Sequence, residues 1–323
     1  MNDNILVTGA SGFLGTHLMG LLTKRFPLSP IIGVALDFNV EFPRAKLFMA
    51  DLLNKEETRG ILRRFKPRYI FHLAGAPAYF DDKKLNDSYL QVTQILLDAL
   101  KNSGTKMCRL VLPSSVTVYG HFGHKRNPIL ETYPTFPLTP YAKVKLAQEK
   151  LCLAAQSGPL KIVIGRIFNL TGPNCPPHIF TGAMAQQVAL IEKNMASPKI
   201  KTGNLANIRD FIDIRDAASA LIELAELGRP GEIYNVCTGR GTKLKDLLKK
   251  LVGLSESSTR IQIERDSSRV RRRAEDVAAA VGSPVKIKRD VRWQAKYSIE
   301  KSLLDTLNSY RIINWKGKMW PPL

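Results

Sequence analysis

The hydrophobic positions of the chain fall into short unbroken runs separated by longer stretches with a helical repeat. Ile5–Thr8 is the first run and leads into Gly9, Gly12 and Gly15, after which Leu14, Leu18, Leu21 and Leu22 line one helical face. Ile31–Leu36, Leu47–Ala50, Tyr69–Leu73, Leu110–Leu112 and Ile162–Ile164 repeat the strand pattern. Between them, Asn54 and Glu57 make a capping box ahead of Ile61, Leu62 and Phe65. A helix over roughly 87–102 carries Leu96 and Leu100, and another runs from Tyr141 to about Ala155. Strands that are apolar throughout and alternate with helices predict an α/β fold, a Rossmann-type doubly wound parallel sheet covered on both faces. The rhythm breaks after Arg166, at Pro173, Pro176 and Pro177. Asp210–Ile214 and Ile233–Val236 read as strands returning to the sheet. The expected organisation is a main lobe of residues 1–165 with 205–236, and a smaller C-terminal substrate-binding lobe of 166–204 with 237–323.

Composition narrows the class. The 323 residues are 44% apolar and 24% charged, which is ordinary for a globular protein and excludes disordered and collagen-like chains. No apolar run approaches the ~20 residues that span a bilayer, and the N-terminus lacks a signal-peptide layout. Cys108, Cys152, Cys175 and Cys237 are scattered without a CxxC, so neither a zinc ribbon nor a disulfide framework is expected, and a reduced, cytoplasmic setting is. The 48 Lys+Arg exceed the 28 Asp+Glu by 20. The excess clusters in Lys243–Lys250, Arg269–Arg273 and Lys286–Arg289, without the interleaved aromatics of a stacking platform. These clusters read as a solvated face, or in part as a surface for an acidic ligand.

The candidate chemistry begins at the glycine turn. Between a strand and a helix, Gly9, Gly12 and Gly15 permit in turn a tight turn, close approach to a pyrophosphate, and close helix–sheet packing. The helix N-terminus offers free N–H groups to phosphates, from Ser11, Phe13 and Leu14 as well as the glycines. Asp37, 22 residues beyond Gly15, is placed to accept the adenosine ribose hydroxyls and to repel a 2′-phosphate. That favours NAD(H), with NADP(H) possible. A turn role at the strand end is its alternative. Asp51, followed by Leu52, either touches the adenine edge or closes a turn. Leu73, Ala74 and Gly75 follow the fourth strand, where they form the opposite wall of the cofactor groove.

Tyr141 and Lys145 share a helical face one turn apart. A free tyrosine titrates near pH ~10, and a neighbouring ammonium is expected to draw it down. Ser115, just past the fifth strand, supplies a hydroxyl beside it. The three form a proton-transfer device at the carboxyl ends of the strands, where open sheets bind ligands. The five histidines make no HExxH or HxxxH. His121 and His124 form an HxxH-like pair that reads as a loop over the site sooner than as a metal ligand set, and the chemistry needs no metal. His72 reads as a packing or cofactor-wall residue.

TGASGFLG, HLAG, SSVTVYG, PYAKVK and RDFIDIRD together resemble the extended short-chain dehydrogenase/reductases that act on nucleotide sugars. GRIFNLTGPN and the stretch from GNLANIRDFIDIRD to YNVCTGRG are most similar to GDP-4-keto-6-deoxy-D-mannose reductases, which form GDP-D-rhamnose. The resemblance implies a dinucleotide-binding main lobe, a nucleotide-sugar-binding second lobe, Tyr141 as proton donor, Lys145 as its modulator and Ser115 on the keto oxygen. It implies Asn169 and Arg209 on the sugar-nucleotide pyrophosphate, and Arg273 closing over the nucleotide within the RxxDV element that includes Asp276. Arg209 can equally form an ion pair with Asp210 or Asp213. The partner is then a GDP-linked sugar, and a homodimer forms through a four-helix bundle of helices 87–102 and 141–155; membrane and nucleic acid are not expected partners.

Two departures matter. Val116-Thr117 stands where the dehydratases carry Asp-Glu, which argues against dehydration and leaves reduction and epimerisation open. Tyr89 and Ile95 replace the family's asparagines, so a cofactor-side hydrogen bond is expected to be missing. The rival readings are an NAD-dependent nucleotide-sugar 4-epimerase and a non-catalytic dinucleotide-sensing or nucleic-acid-binding protein.

Overall fold

The structure is a computed structural model that describes residues 4–38, 40–76, 80–105, 107–120, 127–266, 268 and 277–313. His121, His124, the whole Arg269–Arg273 cluster, Asp276 and the apolar tail from Met319 lie outside the described residues.

Seven parallel strands form the main sheet: β1 (Ile5–Thr8), β2 (Ile31–Ala35), β3 (Ala45–Met49), β4 (Tyr69–His72), β5 (Cys108–Ser115), β6 (Leu160–Ile167) and, from much later in the chain, β10 (Ile233–Val236). Their spatial order is β10-β6-β5-β4-β1-β2-β3. The chain thus builds outward from β1 through β2 to β3, then reverses to the other side at β4. The crevice between the carboxyl ends of β1 and β4 is the switch point at which such sheets bind ligands.

Alternate side chains of each strand feed opposite faces. On β5, Leu110 and Leu112 join a core with the helices Lys55–Phe65, Val92–Lys101 and Pro140–Ala155, while Val111 joins the core under Phe13–Arg25 and Ile214–Leu227. Both faces are therefore dry, which is why the strand runs are apolar throughout. The expected capping box is present: Asn54 Oδ1 accepts from the Glu56 and Glu57 amides, and its Nδ2 donates to Glu57.

The second lobe has its own core, formed by helices Phe180–Glu192, Leu244–Gly253 and Ile299–Arg311. Here the strand expectation needs correction. The segment expected to return to the main sheet at 210–214 is β9 (Ile208–Asp213), which lies in a small separate sheet. There it pairs with β7 (Asn169–Thr171), β11 (Gly241–Lys243) and β13 (Ala279–Ala280). Two further strands, β8 (Lys199–Thr202) and β12 (Gln262–Arg265), form a parallel pair. The main sheet instead takes only Ile233–Val236, as its edge beyond β6.

The helix expected over 87–102 begins earlier. It starts as Asp82–Asn86, capped by Asp81, widens into a π turn over Asp87–Gln91, and continues as Val92–Lys101. A π turn inside a helix commonly marks a functional site.

Candidate active site

The glycine turn has the geometry of a phosphate cradle. Gly9 adopts φ +66°, and a Cβ there would lie 2.8 Å from the backbone of Leu73 and Ala74, so the ends of β1 and β4 meet at this glycine. A Cβ on Gly15 would lie 2.2 Å from the Gly9 carbonyl oxygen. Gly12 caps the helix Phe13–Arg25 without a side-chain hydrogen bond, and the first turn, with Leu14 in it, carries no acidic residue. Its amides and positive dipole end are left for an anion. Asp37 is exposed beyond β2, with Ser11 Oγ donating to its carboxylate at 3.5 Å, so Ser11 and Asp37 share one rim of the groove. These residues fit a dinucleotide: the turn would hold its pyrophosphate and Asp37 would accept from its ribose. Asp51 closes a turn by accepting from the Leu53 amide, and Leu52 is buried in the core behind it.

Ser115 is the last residue of β5 and not just beyond it, in register with Ile167 of β6. Its Oγ accepts from both the Thr117 amide (3.2 Å) and the Thr117 hydroxyl (2.9 Å). Both lone pairs are then used, so the Ser115 O–H must be donated elsewhere. The Tyr141 phenol is near enough for that hydroxyl to favour its ionised form. Tyr141 follows Pro140 at the start of its helix, where Thr139 caps by accepting from the Ala142 amide. Burial holds the Tyr141 phenol above its ordinary pKa, against a downward pull from hydrogen bonds with Tyr89 and Ser115. The expectation that Lys145 draws the phenol down is corrected accordingly: burial outweighs the opposing contributions.

Lys145 is buried, and its Nζ donates to the Pro113 carbonyl and to Gln148 Oε1, each at 2.7 Å. One of the three ammonium N–H groups remains for a ligand. Burial lowers its pKa to about 8, opposed first by Glu149. Behind it runs a buried hydrogen-bonded chain that the sequence did not disclose. Gln148 Nε2 donates to Thr93 Oγ1 at 2.9 Å, and Thr93 donates to the Tyr89 carbonyl. His72 Nε2 lies 2.9 Å from the same Thr93 oxygen, and His72 Nδ1 lies 2.8 Å from Thr8 Oγ1. Because Thr93 already spends its proton on Tyr89, His72 must carry its own proton on Nε2 and accept from Thr8. Thr8 in turn accepts from the Ala74 amide at 3.2 Å. The ammonium is thus tied to the Ala74 amide through four side chains, Gln148, Thr93, His72 and Thr8, on two helices and two strands. Burial, with Lys145 nearby, holds the His72 pKa down to about 3, so the ring is neutral.

Tyr89 occupies the place where a hydrogen bond was expected to be missing. Its hydroxyl donates to the Ala76 carbonyl at 2.8 Å, and its ring stands edge-on to Tyr141 with centroids 5.9 Å apart. Gln148 did not stand out in the sequence, and Tyr89 did so only as a substitution, because nothing in a helical period distinguishes a polar residue facing a site from one facing water.

In the second lobe, Asn169 begins β7 and its Nδ2 donates to the Asp210 carbonyl. Arg209 on β9 donates to the Ile208 carbonyl. The two carboxylates considered as its partners are engaged otherwise. Asp213 is held bidentately by Arg215, and Asp210 accepts from Thr238, Gly239 and Gly282. Asn169 and Arg209 thus sit on neighbouring strands of the small sheet.

Comparison with known proteins places the chain in a family. Residues 5–237 match the model of the NAD dependent epimerase/dehydratase family. GDP-6-deoxy-D-mannose reductase of Pseudomonas aeruginosa is 28% identical over 315 residues, covering 96% of this chain and 98% of that protein. UDP-glucose 4-epimerase of Bacillus subtilis is 26% identical over 332 residues, covering 94% and 95%. Among solved structures, RMD of Pseudomonas aeruginosa in complex with NADPH superposes with a TM-score of 0.82 at 28% identity, covering 96% of this chain and 99% of that one. UDP-glucose 4-epimerase of Thermus thermophilus with NAD gives 0.81 at 25%, with the same coverage. The fold and the site define an enzyme of the extended short-chain dehydrogenase/reductase type. The chain belongs to the NAD dependent epimerase/dehydratase family and uses NAD(P).

Proposed function

We propose that the protein reduces the C4 keto group of a GDP-linked 4-keto-6-deoxy-hexose, giving a GDP-6-deoxy-hexose such as GDP-D-rhamnose. The observation that carries this reading is the placement of Tyr141 one helical turn from the buried Lys145 and beside Ser115, at the carboxyl end of β5. A phenol is protonated at neutral pH, so Tyr141 can supply the proton that a reduction needs. The NAD(P)H cofactor supplies the hydride when bound. Tyr141 gives its proton to the alkoxide that forms on the sugar oxygen, and Ser115 donates a hydrogen bond to the same oxygen. Lys145, fixed by Pro113 and Gln148, holds its remaining N–H toward the ribose and keeps a positive charge near the phenolate. Val116 and Thr117 offer no carboxylate to remove a sugar proton, consistent with reduction and not dehydration. The similarity to a GDP-6-deoxy-D-mannose reductase along nearly the whole chain supports the GDP-linked substrate. We assign Asn169, Arg209, Arg273 and Asp276 to the nucleotide side, Asp37 to a preference for NADH, and the helices of residues 82–101 and 140–155 to a homodimer.

A second reading, 4-epimerisation, is favoured by the UDP-sugar 4-epimerases among the relatives. A thermal-shift panel of GDP, UDP, dTDP and CDP, with NADH or NADPH present, tests the nucleotide. Stabilisation by GDP above the others, followed by cofactor oxidation with the GDP-linked ketosugar, supports the reductase. Preference for UDP, with NAD⁺ retained through purification and no need of added reductant, replaces it with the epimerase.

A further inference from the structure

The centre contains a second phenol. Tyr89 lies in the middle of the π turn Asp87–Gln91, a winding rare in helices, and that turn aims its ring at Tyr141. The rings meet at 72° with centroids 5.9 Å apart, and each phenol acts on the titration of the other. Lys145 Nζ lies 4.7 Å over the Tyr89 ring. The ring fills the space beside Gly75, where a Cβ would come within 2.1 Å of it, so the glycine of the cofactor wall is the seat of this aromatic. The Tyr89 proton currently points to Ala76, 2.8 Å away. A phenolic hydrogen can swing about its C–O bond at little cost, and a hydrogen bond to a charged oxygen is stronger than one to a carbonyl.

The geometry points to Tyr89 as a positioning residue for proton transfer: when Tyr141 gives up its proton, the Tyr89 hydroxyl turns from the Ala76 carbonyl to the Tyr141 oxygen and holds the phenolate. This rests on the reading of Tyr141 as the proton donor. The step is balanced within the site. The O–H bond of Tyr141 breaks, a new O–H bond forms on the sugar oxygen, and the negative charge stays on Tyr141 while the Tyr89 O–H bond remains intact. The groups that face Tyr141 fit the role. Lys145 from its own helix, with Glu149 and Cys152 behind, is the nearby cation, and its pKa of about 8 leaves it mostly charged at neutral pH. Ser115 from β5 is neutral, and so is His72, behind Thr93. Burial, then Tyr141, pushes the Tyr89 phenol far above its usual range, so it keeps its proton and stays a donor.

The test is a titration of phenolate absorbance in the near ultraviolet, which needs no sugar. The Tyr141 signal is the difference between each protein and its Tyr141→Phe counterpart. In Tyr89→Phe, which keeps the ring, its seat and its contact with Lys145, Tyr141 is expected to titrate about one pH unit higher than in the parent. Gly75→Ala keeps both hydroxyls but drives the ring from its seat, and is expected to move the titration the same way. Tyr89→Phe added to Gly75→Ala should then move it no further. An unchanged Tyr141 titration in Tyr89→Phe, or shifts that simply add, overturns the assignment. In turnover of the GDP-linked ketosugar, the fall of kcat at high pH should move up by the same interval, with the cofactor KM unchanged. A parent enzyme inactive on that sugar removes the proposed reaction but leaves the titration to decide on Tyr89.

Discussion

Arg166 lies flat against Glu149 in a buried, two-pronged ion pair, its Nε and Nη2 at 2.9 and 2.7 Å from the two carboxylate oxygens. The pair joins the helix of Tyr141 and Lys145 to β6, and Arg166 also stacks its guanidinium 4.6 Å from the centre of the Tyr119 ring. Both side chains are almost wholly excluded from solvent. Glu149→Gln would leave the arginine buried and uncompensated, which costs about 3–5 kcal/mol. Urea denaturation should show that loss, and a variant within about 1 kcal/mol of the parent would show that the pair carries no such weight.

Tyr141→Phe keeps the ring and its packing but removes the proton. Turnover should fall by orders of magnitude while NADH affinity stays nearly as in the parent. Steady-state kinetics together with fluorescence titration of the cofactor separates the two, and near-normal turnover would contradict the role given to the phenol.

Gly15→Ala places a methyl 2.2 Å from the Gly9 carbonyl oxygen, a contact with backbone that no side-chain movement relieves. The glycine turn must open. Cofactor binding, read by calorimetry, should be lost along with several degrees of Tm, whereas Gly20→Ala, with nothing within 4 Å of its Cβ, should change neither.

His72 gives a pH dependence with a definite sign. Its pKa is about 3 in the folded protein against 6.5 for the free group. Between those values the unfolded chain binds the extra proton, so stability falls as pH drops through that window. By pH about 4.5 the loss from this residue is ~3 kcal/mol. In His72→Gln, whose amide can still donate to Thr93 and accept from Thr8, acid unfolding followed by circular dichroism should be shallower over this range. An unchanged slope would mean that other groups dominate it.

Asp37→Asn removes the charge proposed to reject a 2′-phosphate. NADPH affinity should rise relative to NADH in competition titrations, and the same ratio in parent and variant would place the selection elsewhere.

Most of the sheet was legible in the sequence because its strands are short apolar runs buried on both sides, and the capping box at Asn54 and Glu57 marked its helix by side-chain chemistry alone. Asp210–Ile214 misled for a physical reason. A buried strand in a small sheet has the same hydrophobic pattern as one in the large sheet, and only pairing distinguishes them. The glycine turn, Ser115, Tyr141 and Lys145 were legible because each answers a local requirement. Gln148, Thr93 and Thr8 were not, since their link to Lys145 joins residues from 8 to 148 and has no spacing to read. Tyr89 was noticed only as a substitution. What it does there depends on Gly75, fourteen residues earlier.

The π turn at Asp87–Gln91 holds one residue more than an α turn would. That surplus is absorbed locally. In a regular α-helix the loss of one residue turns everything upstream by about 100°. Here the loss of one would let the segment close into ordinary winding with Asp82–Asn86 and Val92–Lys101 still in phase, and would remove only the widened turn that brings an aromatic to the reaction centre.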